Sequence, residues 1–519
     1  MSVLSRRHLL RRAAHSASAV AAYSASAGTA ARTAASATAG TAAASVPAAD
    51  SVSAGTLAGS ATGAAATELV TALRPDPEAS LGLRFPDGFA WGAATSAYQI
   101  EGAAKDDGRG ESVWDTFSHT PGRTHGGDTG DIAADHYNRY ASDLDLMKEL
   151  GLRTYRFSIS WPRIQPDGTG NPNQRGLDFY RRLVDGLHER GITPMATLFH
   201  WDLPQALQDT GGWESRDVAH RFADYADHVF RALGTDVPTW LTINEPKTVV
   251  QNGYIGGHHA PGKQDPAAAY LVAHHLQLAH GLAVRALRDT GSDSRIGPAL
   301  NLHPCYPTDS SDAARDASRL FDGYENRLYL DPIFRGSYPQ DVLDDLGPES
   351  RMVRGIRDGD LEIISAPIDL LAVQYYTPIY VTGTGGTTMK WPTSEAFWQQ
   401  IFPDGMYDIL TRVTRDYGKV PLTVTENGLP TPDALGHDGT VDDGGRIAFL
   451  RDHFAAAHRA IAEGVPLESY HVWSLMDNFE WAEGFDQRWG LIYVDYPTQQ
   501  RIFKRSAHWY RRVIAANCV

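Results

Sequence analysis

The feature that most constrains this chain is a regular alternation of short apolar runs with longer amphipathic stretches, which begins near Leu83. Short runs rich in β-branched and aromatic residues predict strands, and apolar residues spaced three or four positions apart predict helices. A strand followed by a helix, repeated eight times, favours a closed parallel barrel over an open sheet. We therefore expect an α/β protein with a single (β/α)8 TIM barrel. The predicted strands are residues 89–98, 155–161, 194–201, 240–245, 295–302, 368–376, 422–426 and 469–476, and the clearest helical stretches are 143–150, 177–190, 218–233, 267–287 and 447–463.

The composition fits a large globular domain with an acidic surface. Of 519 residues, 42% are hydrophobic and 10% aromatic, which is too apolar for a disordered chain and enough for a large core. The formal net charge is −15, and all of the acidic excess lies beyond the first 67 residues, in which five arginines outnumber a single aspartate. Because basic patches supply the affinity for nucleic acid and for anionic membranes, we expect neither as a partner. Cys305 and Cys518 predict neither a disulfide framework nor a metal site.

Residues 1–73 form a separate segment rich in Ala, Ser, Thr and Gly. Arg6 and Arg7 precede a weakly apolar stretch, which is typical of a twin-arginine export signal. The stretch is too interrupted by small polar residues for a membrane-spanning helix, and low-complexity sequence does not offset the entropy of ordering. We expect a signal, a disordered segment and a secreted protein, with no membrane contact beyond export. A plain basic tail or a misplaced start codon would instead leave the protein in the cytoplasm.

Two glutamates stand where predicted strands end. The fourth run ends at Asn244-Glu245-Pro246 and the seventh at Thr425-Glu426-Asn427. Catalytic groups of such barrels lie at the carboxyl ends of the strands, so these two side chains would meet at the barrel mouth. Cleavage of a glycosidic bond needs one carboxylic acid to protonate the leaving oxygen and one carboxylate to attack or to activate water. Either glutamate alone is also explained by helix capping or a salt bridge, but the pair favours a glycosidase.

Several longer motifs carry a resemblance to a known family. They are Phe89-Ala-Trp-Gly-Ala-Ala-Thr-Ser-Ala-Tyr-Gln99, Tyr155-Arg-Phe-Ser-Ile-Ser-Trp161, Asn244-Glu245-Pro246, Thr425-Glu426-Asn427-Gly428 and Trp473-Ser-Leu-Met-Asp-Asn-Phe-Glu480-Trp481. With these motifs in this order, residues 83–515 resemble glycoside hydrolase family 1. The resemblance implies a barrel that hydrolyses β-linked glucosides with retention, with Glu245 as general acid and base and Glu426 as nucleophile. In retaining enzymes the two carboxyl groups lie about 5–5.5 Å apart.

The same resemblance implies roles for further side chains of the sugar site. Arg156 and Tyr376 would contact Glu426, and Asn244 would bind the 2-hydroxyl of the sugar. Glu480 would be ionised and would accept hydrogen bonds from the hydroxyl groups at positions 4 and 6. The other implied members are Gln99, His200, Trp473 beneath the sugar ring, and Trp481, with Trp201 and Trp398 on the side of the leaving group.

One position departs from the family pattern, and related functions stay open. The family has Asn-Tyr-Tyr at the sixth strand, whereas this chain has Gln374-Tyr375-Tyr376, whose extra methylene would displace the amide by about an ångström. Our preferred hypothesis is a β-glucosidase for small glucosides or cello-oligosaccharides, without metal or cofactor. The alternatives are a β-galactosidase or β-fucosidase, a transglycosidase, and an inactive sugar-binding barrel. Relatives for 6-phosphosugars carry serine in place of Glu480, and plant thioglucosidases carry glutamine in place of Glu245; neither change is present.

Overall fold

The central sheet is a closed barrel of eight parallel strands. The computed structural model describes residues 76–519, and in it each barrel strand pairs with the next in chain order while the eighth closes on the first. This confirms the predicted (β/α)8 fold. The strands are β1 (Ala90–Ala94), β2 (Thr154–Ser158), β3 (Thr193–Phe199), β4 (Thr239–Asn244), β5 (Arg295–Asn301), β6 (Leu371–Gln374), β7 (Leu422–Glu426) and β8 (Leu467–Trp473).

Every observed barrel strand overlaps its predicted run, but several runs continue past the end of the strand. The run 89–98 was wrong in its second half, because pairing stops at Ala94 and Ala97–Ile100 forms a helical turn. The backbone N–H of Ala97 donates to Oγ of Ser158 at 2.7 Å, so the chain bends across the end of β2 instead of extending. The sixth and eighth strands also end before their predicted runs do. The remaining apolar residues belong to the loops that build the barrel mouth.

Amphipathic helices cover the outside of the barrel and overlap all the predicted helical stretches. In the helix Arg216–Leu233, buried Val218, Phe222, Tyr225 and Val229 recur at helical spacing and face the sheet. The longer helices are His136–Leu150, Gln174–Glu189, Arg216–Leu233, Pro266–Asp289, Asp312–Asp322, Leu328–Arg335, Asp404–Tyr417, Gly444–Ala462 and Arg505–Ala516.

The barrel interior has an apolar floor and a polar upper layer. The polar layer contains the buried side chains of Arg156, Asn244, Gln374 and Glu426. It lies at the carboxyl ends of the strands, where active sites of this fold are found. The floor is the buried cluster Met195, Leu241, Ala299, Leu370 and Ala372.

Two small sheets extend the loops that follow β5, β6 and β8. Cys305–Pro307, Ile379–Val381 and Thr387–Thr388 form one, and Ile492–Asp495 pairs with Gln500–Phe503 in the other. Within residues 76–519, no helix has the length and apolar character needed to span a membrane. The predicted export signal and low-complexity segment, residues 1–73, lie outside the described residues.

Candidate active site

A pocket opens at the carboxyl ends of the barrel strands, between the loops that follow β3 to β8. Three predicted site residues, Gln99, Arg156 and Asn244, are fully buried behind its walls and do not line it. The other predicted residues are brought together in this one pocket. They are His200, Trp201, Glu245, Tyr376, Trp398, Glu426, Trp473, Glu480 and Trp481.

Glu245 is placed by a distortion at the end of β4. Between Leu241 and Asn244, β4 contains one more residue than the facing part of β5. Such a bulge re-aims the side chains that follow it. Asn244 therefore turns into the barrel, although Thr242 faces outward and bonds to His280 at 2.7 Å. Glu245 then adopts a left-handed conformation with φ 44°, which a non-glycine residue keeps only when its surroundings enforce it.

Glu426 is placed by a similar distortion and is surrounded by donors. β7 contains one more residue than β6 between Val424 and Glu426, so Glu426 enters the pocket while Val424 packs in the outer core. The guanidinium of Arg156 forms an ion pair with Oε1 of Glu426. The Tyr376 hydroxyl donates to Oε2 at 2.9 Å, and Nε2 of Gln374 donates to Oε1 at 2.7 Å. These donors favour the ionised form of Glu426.

The two glutamates therefore differ in their affinity for a proton. Burial and the neighbouring Glu426 carboxylate raise the pKa of Glu245 to about 8. Burial also raises the pKa of Glu426, but the charge of Arg156 and the hydrogen bonds from Arg156 and Tyr376 oppose that rise. At neutral pH the proton held by the pair resides on Glu245, and Glu426 carries the negative charge.

Asn244 and His200 form a polar chain beside this pair. Oδ1 of Asn244 accepts from Arg156 at 2.5 Å and from Gln374 at 2.7 Å, which leaves its Nδ2 to donate to Nε2 of His200 at 3.0 Å. Burial and the charge of Arg156 hold the pKa of His200 well below its ordinary value, so the ring is neutral. Its proton lies on Nδ1, which is buried without a partner among residues 76–519. His200 thus offers one free donor to a bound ligand.

Gln374 reaches the glutamate despite its extra methylene. One amide nitrogen donates to both Glu426 and Asn244, each at 2.7 Å. Its Oε1 atom is buried and lacks a hydrogen-bond partner within the described part of the chain. The departure from the family pattern consequently leaves the nucleophile candidate with an amide donor.

Glu480 lies in the loop that follows β8 and forms part of the pocket wall, with Gln99 behind it. Nε2 of Gln99 is 3.3 Å from Oε2 of Glu480 and also donates to Asn478 and to the Phe479 carbonyl, each at 3.0 Å. Burial and the carboxylates of Glu426, Glu483 and Glu245 raise the pKa of Glu480 to about 8. This shift favours the protonated form of Glu480 near neutral pH, whereas the ionised side chain that the family resemblance implies stays a prediction.

Aromatic rings complete the same side of the pocket. The His200 ring stacks against Trp473 with 5.9 Å between centroids and against Trp481 with 5.8 Å. Trp201 and Trp481 lie 4.5 Å apart. Flat aromatic faces with nearby polar groups suit the apolar face and hydroxyl edge of a sugar ring.

A sequence model of the family described as "Glycosyl hydrolase family 1" matches residues 82–519. This chain belongs to glycosyl hydrolase family 1. It is 45% identical to β-glucosidase A of Acetivibrio thermocellus over 84% of this chain and 99% of that protein. It is 48% identical to thermostable β-glucosidase B of Thermobispora bispora over 84% and 91% of the two chains. A solved β-glucosidase from Thermotoga maritima in complex with deoxynojirimycin superposes with a TM-score of 0.80 at 44% identity, covering 84% and 99%.

The comparisons confirm the family resemblance and the barrel, while the roles of individual residues stay predictions.

Sequence reasoning missed part of the family 1 pocket. Lys247 could have been suspected, because it stands two residues after Glu245; Glu325 is far from any strand end and gave no signal. No cluster of three or more His, Cys, Asp or Glu side chains placed to hold a metal ion occurs in residues 76–519. The missed lining residues include Lys247, Gln251, Asn252, Asn301, His303, Phe321, Glu325, Phe397, Glu483 and Trp489.

Proposed function

We propose that this protein is a retaining β-glucosidase that releases terminal non-reducing β-D-glucosyl residues from small glucosides or cello-oligosaccharides. The observation that carries the proposal is the pair of buried glutamates with opposite protonation: Glu426 is held by three donors and Glu245 retains a proton. The similar proteins named β-glucosidase, which this chain matches over nearly their full length, support the activity. The deoxynojirimycin complex of the Thermotoga relative supports a small-molecule ligand.

In the first step, the Glu426 carboxylate attacks the anomeric carbon while Glu245 gives its proton to the glycosidic oxygen. The bond between the anomeric carbon and that oxygen breaks, the alcohol leaves, and a glycosyl ester forms on Glu426. Tyr376, Gln374 and Arg156 hold the attacking carboxylate in place, and that orientation contributes to the rate.

In the second step, Glu245 acts as a base toward water. Esterification removes the charge of Glu426, which is one cause of the raised pKa of Glu245. The pKa of Glu245 falls in the intermediate, which suits its return to the charged, proton-accepting form. Water then attacks the anomeric carbon, its proton passes to Glu245, and Glu426 leaves as a carboxylate. Two inversions give net retention.

The test removes each carboxyl in turn. Glu426→Gly should lower hydrolysis of 4-nitrophenyl β-glucoside by about 10⁴-fold or more, and azide should restore turnover with an α-glucosyl azide as product. Glu245→Ala should spare substrates with good leaving groups, and azide should there give the β-azide. A β-configured azide from Glu426→Gly would contradict the assignment of the nucleophile.

The alternatives have different expected outcomes in a substrate panel. An inactive sugar-binding barrel would need neither Glu245 nor Glu426, and it would hydrolyse none of the aryl β-glycosides. A β-galactosidase or β-fucosidase would show a higher kcat/KM on its own sugar than on the glucoside. A transglycosidase would form new glycosides with added alcohol faster than it releases glucose.

We further propose that the protein is secreted through the twin-arginine pathway, because Arg6 and Arg7 precede a weakly apolar stretch. Changing both residues to lysine should leave the enzyme inside the cell with unchanged specific activity. Continued secretion of the double variant would contradict this proposal.

A further inference from the structure

A buried ion pair forms part of the pocket wall across the barrel from Glu480. In the strand order, β4 stands opposite β8, so the loops after β4 and β5 face the loop that carries Glu480. Nζ of Lys247 lies 3.1 Å from Oε2 of Glu325, and Nε2 of Gln251 donates to Oε1 of Glu325 at 2.6 Å. The Lys247 and Glu325 side chains are only 3% and 5% exposed, yet both line the pocket.

This wall holds polar atoms that have no hydrogen-bond partner among the described residues. Nζ of Lys247 makes no hydrogen bond of good geometry within residues 76–519, although it has three N–H groups to donate. Oδ1 of Asn301, at the end of β5, is also buried without a described partner. Unpaired buried polar groups are costly, and such groups in a pocket indicate a ligand that completes their hydrogen bonds.

His303 adds an acceptor to the same wall. Its Nδ1 lies 2.8 Å from the Thr377 carbonyl oxygen, which only accepts, so Nδ1 carries the proton. Burial and the charge of Lys247 hold the pKa of His303 well below its ordinary value, so the ring is neutral and Nε2 is an acceptor. Donor, acceptor and amide groups side by side match hydroxyl groups, which both donate and accept.

Apolar side chains face the same space. Phe321, Ile379, Phe397 and Trp398 line the pocket together with the polar wall. A pyranose ring has apolar C–H faces and a hydroxyl rim, and it fits between an aromatic surface and such a polar wall. A flat aryl group would leave the polar atoms unpaired.

We infer that Lys247, paired with Glu325, binds hydroxyl groups of the leaving group and makes a neutral sugar the preferred leaving group. The inference rests on the proposed β-glucosidase function, in which Glu245 protonates the leaving-group oxygen. Lys247 follows β4 and lies across the barrel mouth from Glu480, the predicted partner of the glucosyl hydroxyl groups, so we place it on the leaving-group side of the scissile bond. The ion pair has no net charge, which favours neutral hydroxyls over an anionic group.

The experiment compares two substrates with the same glucosyl unit. Lys247→Met and Glu325→Gln are assayed for kcat/KM on cellobiose and on 4-nitrophenyl β-glucoside, a ratio that reports only steps through the first bond cleavage. Cellobiose should lose about 10- to 100-fold and the aryl glucoside less than about threefold. Lys263→Met is the control, because Lys263 also pairs with a glutamate, Glu214, but does not line the pocket. Its cellobiose to aryl glucoside ratio should equal that of the wild type.

Asn301→Ala covers the case in which loss of the ion pair harms folding. Oδ1 of Asn301 has no hydrogen-bond partner within residues 76–519, so Asn301→Ala should keep the fold while the cellobiose rate falls selectively. Lys247→Arg should restore part of the cellobiose rate.

The outcomes separate this inference from the proposed function. A wild-type enzyme that cleaves neither substrate would overturn the β-glucosidase proposal itself. An active wild type whose Lys247→Met and Asn301→Ala variants lose both substrates equally, or neither, would overturn the role of this wall alone.

Discussion

The side-chain amide nitrogen of Gln374 donates to two partners, the carboxylate of Glu426 and the side-chain oxygen Oδ1 of Asn244. Its side-chain oxygen, Oε1, has no hydrogen-bond partner within residues 76–519, which costs free energy. A side chain kept in such an arrangement contributes by orienting its neighbours. It holds the attacking carboxylate of the proposed reaction beside Arg156.

Replacing Gln374 tests that positioning role. Gln374→Ala should lower kcat/KM on an aryl β-glucoside by about 10- to 100-fold, because a hydrogen bond to a charged group is worth about 1.5–3 kcal/mol. Loss of the donor should also raise the pKa of Glu426, so the acidic limb of the pH profile of kcat/KM should move to higher pH. Gln374→Asn restores the family residue and should retain more activity than the alanine variant. An unmoved acidic limb in Gln374→Ala would contradict the role.

At the scale of strands and helices, the apolar runs and the helical spacing predicted the barrel and the ends of β4 and β7. The sequence did not predict in the same way which face of the barrel, inner or outer, the side chains at these strand ends occupy. Strict alternation places Asn244 on the outer face with Thr242, and Glu426 on the outer face with Val424. One extra residue in each strand reverses this, and a bulge of that kind leaves no periodic signal in a single sequence.

The pocket wall shows the second limit of sequence reasoning. Residues at strand ends share one edge of the barrel, so their proximity follows from the fold. The pairing of Lys247 with Glu325 depends on how the long segment after β5 folds back over the mouth. Only tertiary packing fixes that path.

The loops after β7 and β8 are joined by a buried ion network. Nζ of Lys504 lies 2.5 Å from Oδ2 of Asp433 and 2.5 Å from Oδ1 of Asp477, and Arg488 reaches the other oxygen of Asp477 at 2.6 Å. Asp477 stands three residues before Glu480. Burial alone would raise the pKa of Asp433, but the charges of Arg446 and Lys504 hold it below its ordinary value.

Removal of Lys504 should destabilise the protein. Lys504→Met leaves two buried carboxylates short of a cation, and breaking a buried ion pair in this way costs about 3–5 kcal/mol. The loss in the free energy of unfolding should be smaller at pH 5 than at pH 7, because the stranded carboxylates then bind protons more readily. Urea unfolding at the two pH values measures both effects. The exposed lysine variant Lys105→Met is the control. A loss in the free energy of unfolding below about 1 kcal/mol at pH 7 would show that the network does not stabilise the packing of the two loops.

At the scale of the whole molecule, the acidic chain brings three carboxyl groups together in one pocket. Glu245 and Glu426 are buried there and Glu480 is partly buried, and the carboxylates of Glu245 and Glu426 contribute to the raised pKa of Glu480. Such a site lowers the stability of the folded protein. The unfolded chain solvates each carboxylate separately, whereas the folded protein must keep the group protonated or bear its buried charge.

The pH dependence of stability follows from the direction of these shifts. The pKa of Glu480 is about 8 in the folded protein against an ordinary value of 4.5. Below pH 4.5 both states hold the proton and the group has no effect on stability. As the pH rises toward 8, the unfolded state releases its proton while the folded state keeps it, so folding is increasingly penalised; above 8 the penalty is constant.

Glu480→Gln removes the titration while keeping the shape of the side chain and an oxygen for the amide of Gln99. The free energy of unfolding should therefore rise by roughly 1–3 kcal/mol at pH 8 and by almost nothing at pH 4.5, as measured by chemical denaturation at both values. Glu395→Gln, which changes an exposed glutamate, should have no effect at either pH. Equal stabilisation by Glu480→Gln at the two pH values would point to packing as the cause. A gain confined to high pH would instead show that the sugar pocket is maintained at the expense of the stability of the barrel.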